Sequence, residues 1–239
     1  MPEGSRWASA ATVGLGAISA LHASAMLLSE RDLSRVAAFV AMAQSGIALA
    51  ALGSITPQGL VATGAIVLGG GLAVAVLALW SGALDDRVEG RDTSALGGLF
   101  SEAPLLAMLA AVAFAAAMGA PGTAPFWGEL LAVIAVVGAH PLLSGLVVLA
   151  LLLKGAAVLR VAGRVVFGAP PDGWRTLPSL EPFGGKFPDL RTHEGWAMAP
   201  IAIATVVLGV WPAPMLGVLA GAVRDAVARA NLGPLQLGF

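Results

Sequence analysis

The sequence predicts an all-α, polytopic integral membrane protein with about six transmembrane helices, one of them broken, and a C-terminal amphipathic helix. Three observations carry this. Of the 239 residues, 58% are hydrophobic and only 11% charged, where a water-soluble domain has about 25% charged residues. The mean hydropathy is +0.87. The apolar residues also fall into segments long enough to cross a ~30 Å hydrocarbon core as helix, which takes about 20 residues. The formal net charge of −1 and the absence of a basic run or aromatic platform exclude nucleic acid as a partner. With no cysteine, disulfides, thiolate metal sites and covalent haem attachment are excluded as well.

In chain order the expected spans are 8–28, 35–53, 57–83, 103–138, 141–167 and 196–220. The first could be mistaken for a cleaved leader, because "LHASA" resembles a signal-peptide cleavage site. Glu3 beside Arg6 and the interruption at His22 argue instead for a membrane helix. The fourth segment is too long for one straight span and too short for two with a loop. Pro121, Gly122 and Pro125 fall inside it, so the helix breaks there. Irregular backbone at membrane depth must be surrounded by protein, which places this segment among the other helices. Residues 168–195, rich in Pro and Gly, read as an irregular loop. Residues 221–239 read as an interfacial tail, with apolar and charged positions alternating at helical spacing from Met215 onward.

Arg31, Arg35, Arg87, Arg91, Arg160, Arg164, Arg175, Lys186 and Arg191 stand on one side of this topology, and Arg6, Arg224 and Arg229 on the other. The positive-inside rule makes the first side cytoplasmic and puts both termini outside. Arg greatly outnumbers Lys, and Ala and Gly abound; this hints at a GC-rich bacterial genome, and hence at an inner membrane.

Two charged residues lie deep within spans: Glu129 and Lys154. From the turn "GAHP" at 138–141, Glu129 lies about 13 Å back and Lys154 about 20 Å on, at about 1.5 Å per helical residue. The two therefore sit on adjacent helices within about two turns of the same height. A charge at the bilayer centre costs on the order of 2.5–3.5 kcal/mol, and such residues mark ion or proton pathways. Burial disfavours both charges while mutual attraction favours them. That balance permits proton exchange, and its plainer alternative is a buried ion pair that only orients two helices. A helix break beside Glu129 strengthens the first reading, since half-helix ends expose backbone dipoles at mid-membrane sites.

The stretches "ERDLSRVAAFVAMAQSG", "RVEGRDTSALGGL", "GAPGTAPFWGE", "LRVAGRVVFG" and "GVWPAPML" occur in this order. Together they resemble the last six helices of the antiporter-like membrane subunits of respiratory complex I, the NADH-quinone oxidoreductase, and the subunit M type in particular. Mrp-type Na+/H+ antiporters and energy-converting hydrogenases have membrane subunits of the same family. Asp32, Leu33, Arg35, Ala38 and Gly46 fit the first family block, and Gly119, Pro121, Gly122, Phe126, Gly128 and Glu129 fit the block around the break. The resemblance implies that Glu129 is a protonatable relay on a broken helix. It also implies departures: Ser34 stands at the family lysine, and Gln44 and Gly70 at two membrane histidines. Lys154 replaces a small apolar residue and is a possible further relay.

The resemblance covers nearly all of this chain but less than half of a family member. It implies a membrane-arm, non-redox subunit of a proton-translocating NADH:quinone oxidoreductase, contributing half of an antiporter-like channel beside other membrane subunits in the bilayer. A separate chain would supply the missing N-terminal helices. A subunit of a cation/proton antiporter or hydrogenase complex, or a non-conducting scaffold, are the other readings. No cofactor or metal site is expected: His193 has no second ligand at metal spacing. His22 and His140 read as structural. Asp85, Asp86, Arg87, Glu89, Arg91 and Asp92 read as a solvated, internally paired loop, and Gly69, Gly70 and Gly71 as close helix packing.

Overall fold

A computed structural model describes residues 3–85, 87, 96–168 and 187–229. These form α1 (Glu3–Ser29), α2 (Leu33–Gly53), α3 (Pro57–Asp85), α4 (Leu99–Glu102), α5 (Pro104–Met118), α6 (Ala124–Ala139), α7 (Pro141–Phe167), α8 (Thr192–Val210) and α9 (Ala213–Arg229). Five of them, α1, α2, α3, α7 and α8, are long and apolar enough to cross a membrane, and α5 and α6 are shorter apolar helices. Of the expected loop at 168–195, positions 169–186 lie outside the described residues, as do Asp86, Glu89, Arg91, Asp92 and the tail from 230 onward.

The long fourth segment is two half-helices, α5 and α6, separated by Gly119–Thr123. Gly119 ends α5 in the left-handed conformation at φ +76°, and Gly122 follows at φ +89°. The left-handed region is disfavoured for a residue with a Cβ, so the pair of glycines turns the chain where the prolines stop the helix. Pro125 then sits in the first turn of α6, where its missing N–H costs nothing.

The sixth apolar segment, expected as one span over 196–220, is also two helices. Pro212 forces the preceding Trp211 out of helical geometry, to φ −123° and ψ 81°. The chain restarts at Ala213, so the amphipathic C-terminal helix begins earlier than the sequence pattern suggested.

Packing relies on backbone approach. A Cβ on Gly16 would lie 2.7 Å from Gly46 O, and one on Gly46 would lie 2.8 Å from Gly16 O, so α1 and α2 cross with their backbones nearly touching. A Cβ on Gly128 would lie 2.7 Å from Ile66 N, and one on Gly69 2.7 Å from Ala124 C; the same close approach thus fixes α6 on α3. Small residues at such crossings are how membrane helices gain dispersion contact without a hydrophobic driving force. Near the other end of α3, Trp80 packs edge-on to Phe114 with ring centroids 5.3 Å apart. Its indole donates to Leu106 O at 3.0 Å, which ties α3 to α5.

One sequence expectation changes here. Arg87 is not part of a solvated loop: it is 1% exposed. Its Nη1 donates to Glu194 Oε1 (2.8 Å) and to Ala83 O, and its Nη2 to Glu194 Oε2 (2.6 Å) and Asp189 O (3.0 Å). Its Nε donates to Pro188 O at 2.9 Å. A fork of this geometry answers a carboxylate with two parallel hydrogen bonds. Asp189 in turn accepts from Leu105 N (3.2 Å) and Leu106 N (3.0 Å) at the start of α5. One guanidinium therefore holds together the ends of α3, α5 and α8.

Candidate functional site: a buried carboxylate and amine at a helix break

Glu129 is the sixth residue of α6, just past the break, and is 5% exposed. Lys154 lies mid-way along α7 and is 0% exposed. The structure brings them into direct contact, with Lys154 Nζ donating to Glu129 Oε1. Each charge is removed from water and answered by the other, which is how an ionised pair survives at membrane depth.

Three more elements close around the pair. The αL residue Gly119 packs on the carboxylate so tightly that any Cβ there would strike Glu129 Oε2. The break thus serves the site directly: the one residue type that allows the turn also leaves room for the carboxylate. From α2, the buried Gln44 amide stands beside Glu129. Across from it, a Cβ on Gly70 would lie 2.7 Å from Gln44 Oε1. Gln44 and Gly70, the two positions at which the resemblance implies a histidine, are thus neighbours in space. Gln44 Nε2 is buried and makes no hydrogen bond of standard geometry, its nearest acceptor being the Glu129 carboxylate it stands beside.

Ser34 is not brought to this site. It lies in the first turn of α2, where its N–H donates to the capping carboxylate of Asp32 at 2.8 Å, about 15 Å along the helix from Gln44 at about 1.5 Å per residue. His140, at the α6–α7 turn, bonds Ser9 Oγ at 2.8 Å. His193 is exposed at the start of α8, and His22 is exposed on α1. Among the described residues no group of three His, Cys, Asp or Glu side chains could hold a metal ion. Sequence reasoning located Glu129, Lys154, Gln44 and Gly70 but not the role of Gly119 as a wall of the site. The signal for it was its place at the head of the "GAPG" turn.

The transmembrane family described as NADH:quinone oxidoreductase/Mrp antiporter matches residues 1–154, 64% of the chain and including both members of the pair. NADH-quinone oxidoreductase subunit M of Mycobacterium tuberculosis is 27% identical over 226 residues, covering 95% of this chain and 39% of that protein. NADH-ubiquinone oxidoreductase chain 4 of Marchantia polymorpha is 28% identical over 214 residues, covering 89% of this chain and 41% of the relative. Among solved structures, a chain of respiratory complex I from Thermus thermophilus with bound NADH superposes with a TM-score of 0.78 at 26% identity. That match covers 93% of this chain and 45% of the other. A chain of the Mrp complex from Dietzia sp. DQ12-45-1b gives a TM-score of 0.79 at 22% identity, covering 97% and 50% of the two chains, a likeness of fold. The chain therefore spans about two fifths of the length of the curated relatives it matches. It is a multi-pass membrane protein and belongs to the NADH:quinone oxidoreductase/Mrp antiporter transmembrane family.

Proposed function

We propose that this chain is a membrane-arm subunit of a proton-translocating NADH:quinone oxidoreductase, contributing half of an antiporter-like proton channel. The observation that carries the reading is the Glu129–Lys154 contact at the break between α5 and α6. In a low-dielectric surrounding, the ion pair and the neutral pair formed by moving one proton from amine to carboxylate differ by opposing desolvation and Coulomb contributions. Anything that shifts the half-helix ends, or the potential around them, tips that balance. Glu129 is the titrating group and Lys154 its partner; no redox cofactor is needed in this chain, since redox chemistry belongs to other subunits of such a complex.

The other membrane subunits are its partners, among them a separate chain that carries the remaining helices of the channel. The location is a bacterial inner membrane with both termini periplasmic, supported by the Arg-rich ends of α1, α2 and α7 lying on one side. The test is Glu129→Gln in the assembled complex: proton translocation falls at least tenfold while the complex still assembles. Full translocation in that variant overturns the assignment. The likeness to the Mrp complex favours a second reading, a cation/proton antiporter subunit; translocation that follows Na+ and is indifferent to quinone would select it. A non-conducting scaffold, suggested by Ser34, Gln44 and Gly70, predicts an unaffected Glu129→Gln complex.

A further inference from the structure

The outer face of α1 carries a polar group where lipid should be. Ala11, Leu15, Ile18, His22, Ala25 and Ser29 are all exposed. They recur at alternating intervals of four and three residues, the spacing of a seam that faces one neighbouring helix. Leu15 and Ile18 are 66% and 60% exposed, as lipid-facing residues are. His22 differs. It lies seven residues inside the Ser29 end of the span, about 10 Å along the helix at about 1.5 Å per residue. Among the described residues nothing hydrogen-bonds to it. An imidazole is too short to bring its polar edge to the headgroups as Lys or Arg does. Polar side chains at this depth are rarely left to lipid; they face a helix or a cavity. The opposite face of α1 is already used, by α2 at Gly16 and by α7 through the hydrogen bond from Arg160 to Leu28 O.

We propose that this seam is a docking face for a transmembrane helix of another chain, one that presents small apolar side chains along the seam and a hydrogen-bonding side chain (an amide, hydroxyl or carboxyl) at the level of His22. Two facts favour another chain over lipid or a second copy. More than half the length of the matched relatives lies outside the region this chain covers, and the proposed companion chain would bring that part against a face of these helices. A second copy, sharing the same membrane orientation, would set His22 opposite His22 across a two-fold axis, which supplies no complementary group unless the two tautomers differ. The inference rests on the proposed companion chain but assigns its location.

The experiment places a photo-crosslinking amino acid at Leu15, Ile18 and Ala25 in turn, and at Leu152, 65% exposed on a different helix, α7, as a control. Illumination is done in native membranes, with the joined peptides identified by mass spectrometry. The proposal expects the three α1 positions to join one transmembrane segment of another chain, and Leu152 not to join it. In parallel, His22→Leu lowers recovery of that chain with the complex at least fivefold, and His22→Gln restores it. His22→Leu leaves the isolated chain folded, since the change is from polar to apolar on an exposed membrane face. Crosslinks to lipid only, or to a second copy of this chain, overturn the proposal, as does full recovery with His22→Leu. If a companion chain is present but joins from elsewhere, the docking face is wrong and the companion stands. If the seam joins a different membrane subunit and no companion exists, the face stands and the companion fails.

Discussion

Lys154 Nζ donates to Glu129 Oε1 across the α6–α7 hairpin, 25 residues apart in sequence and both nearly or wholly out of contact with solvent. Each charge is answered chiefly by the other, so each residue is conditional on its partner. Removing one partner of such a pair leaves a buried, uncompensated charge, at about 3–5 kcal/mol. Replacing both with apolar groups of similar size is often neutral or stabilising.

The single variants Glu129→Met and Lys154→Met therefore each lower the thermal midpoint of the detergent-solubilised chain, and the double variant, apolar at both positions, recovers most of the loss. Proton translocation by the complex does not recover with it. Equal losses that simply add would show that the two charges do not compensate each other. Unchanged proton pumping in Lys154→Ala would remove Lys154 from the pathway while leaving Glu129 in it.

The two left-handed glycines at the break separate backbone strain from site geometry. Gly119→Ala and Gly122→Ala both place a Cβ at positive φ, at a cost of about 1–2 kcal/mol each. Only the Cβ at 119 strikes the Glu129 carboxylate; the one at 122 meets nothing within 4 Å. Similar losses of stability are expected, with proton translocation impaired by Gly119→Ala far more than by Gly122→Ala. Equal functional effects would mean the break matters only as a turn.

At the Arg87 node, Arg87→Ala or Glu194→Ala should cost about 3–5 kcal/mol, as expected for breaking a buried, doubly hydrogen-bonded pair. Arg87→Lys should not rescue it, because an ammonium cannot span Pro188 O, Asp189 O and both Glu194 oxygens. The Arg35–Glu30 pair, at 3.9 Å and with the Arg35 side chain 72% exposed, is the contrast. Arg35→Ala should change stability by less than about 1 kcal/mol. Chemical denaturation of the chain in mild detergent measures all three.

The α3–α6 crossing predicts a sharp difference between two glycines of one helix. Gly128→Val drives a side chain into the backbone at Ile66 and should abolish accumulation of the folded chain. Gly138→Ala has no atom within 4 Å of the new Cβ; it should be neutral or stabilise by up to about 1 kcal/mol, the helix-propensity difference. Quantifying folded protein in membranes distinguishes them.

Much of this was legible in the residues themselves. Hydrophobicity and segment length set the all-helical membrane class, because a continuous apolar run of about 20 residues satisfies its own backbone hydrogen bonds in lipid as a helix, whereas a closed barrel would need shorter alternating strands. Pro121, Gly122 and Pro125 marked the break, because a missing amide and a left-handed turn are local properties of those residues. Glu129 and Lys154 stood out because a charge in an apolar run is costly wherever the chain folds. What the sequence could not decide was who touches whom. The contact of Gly119 with a carboxylate ten residues on, the meeting of Gln44 with Gly70, and the fork of Arg87 on Glu194 each join distant positions or turn on a side-chain direction. Arg87 looked like loop charge because its neighbours in sequence are charged. It is buried because Glu194, 107 residues later, is brought against it by the return of α8. Composition and local stereochemistry choose the helices and their breaks; only the close crossings of those helices choose the partners of the few polar groups they bury.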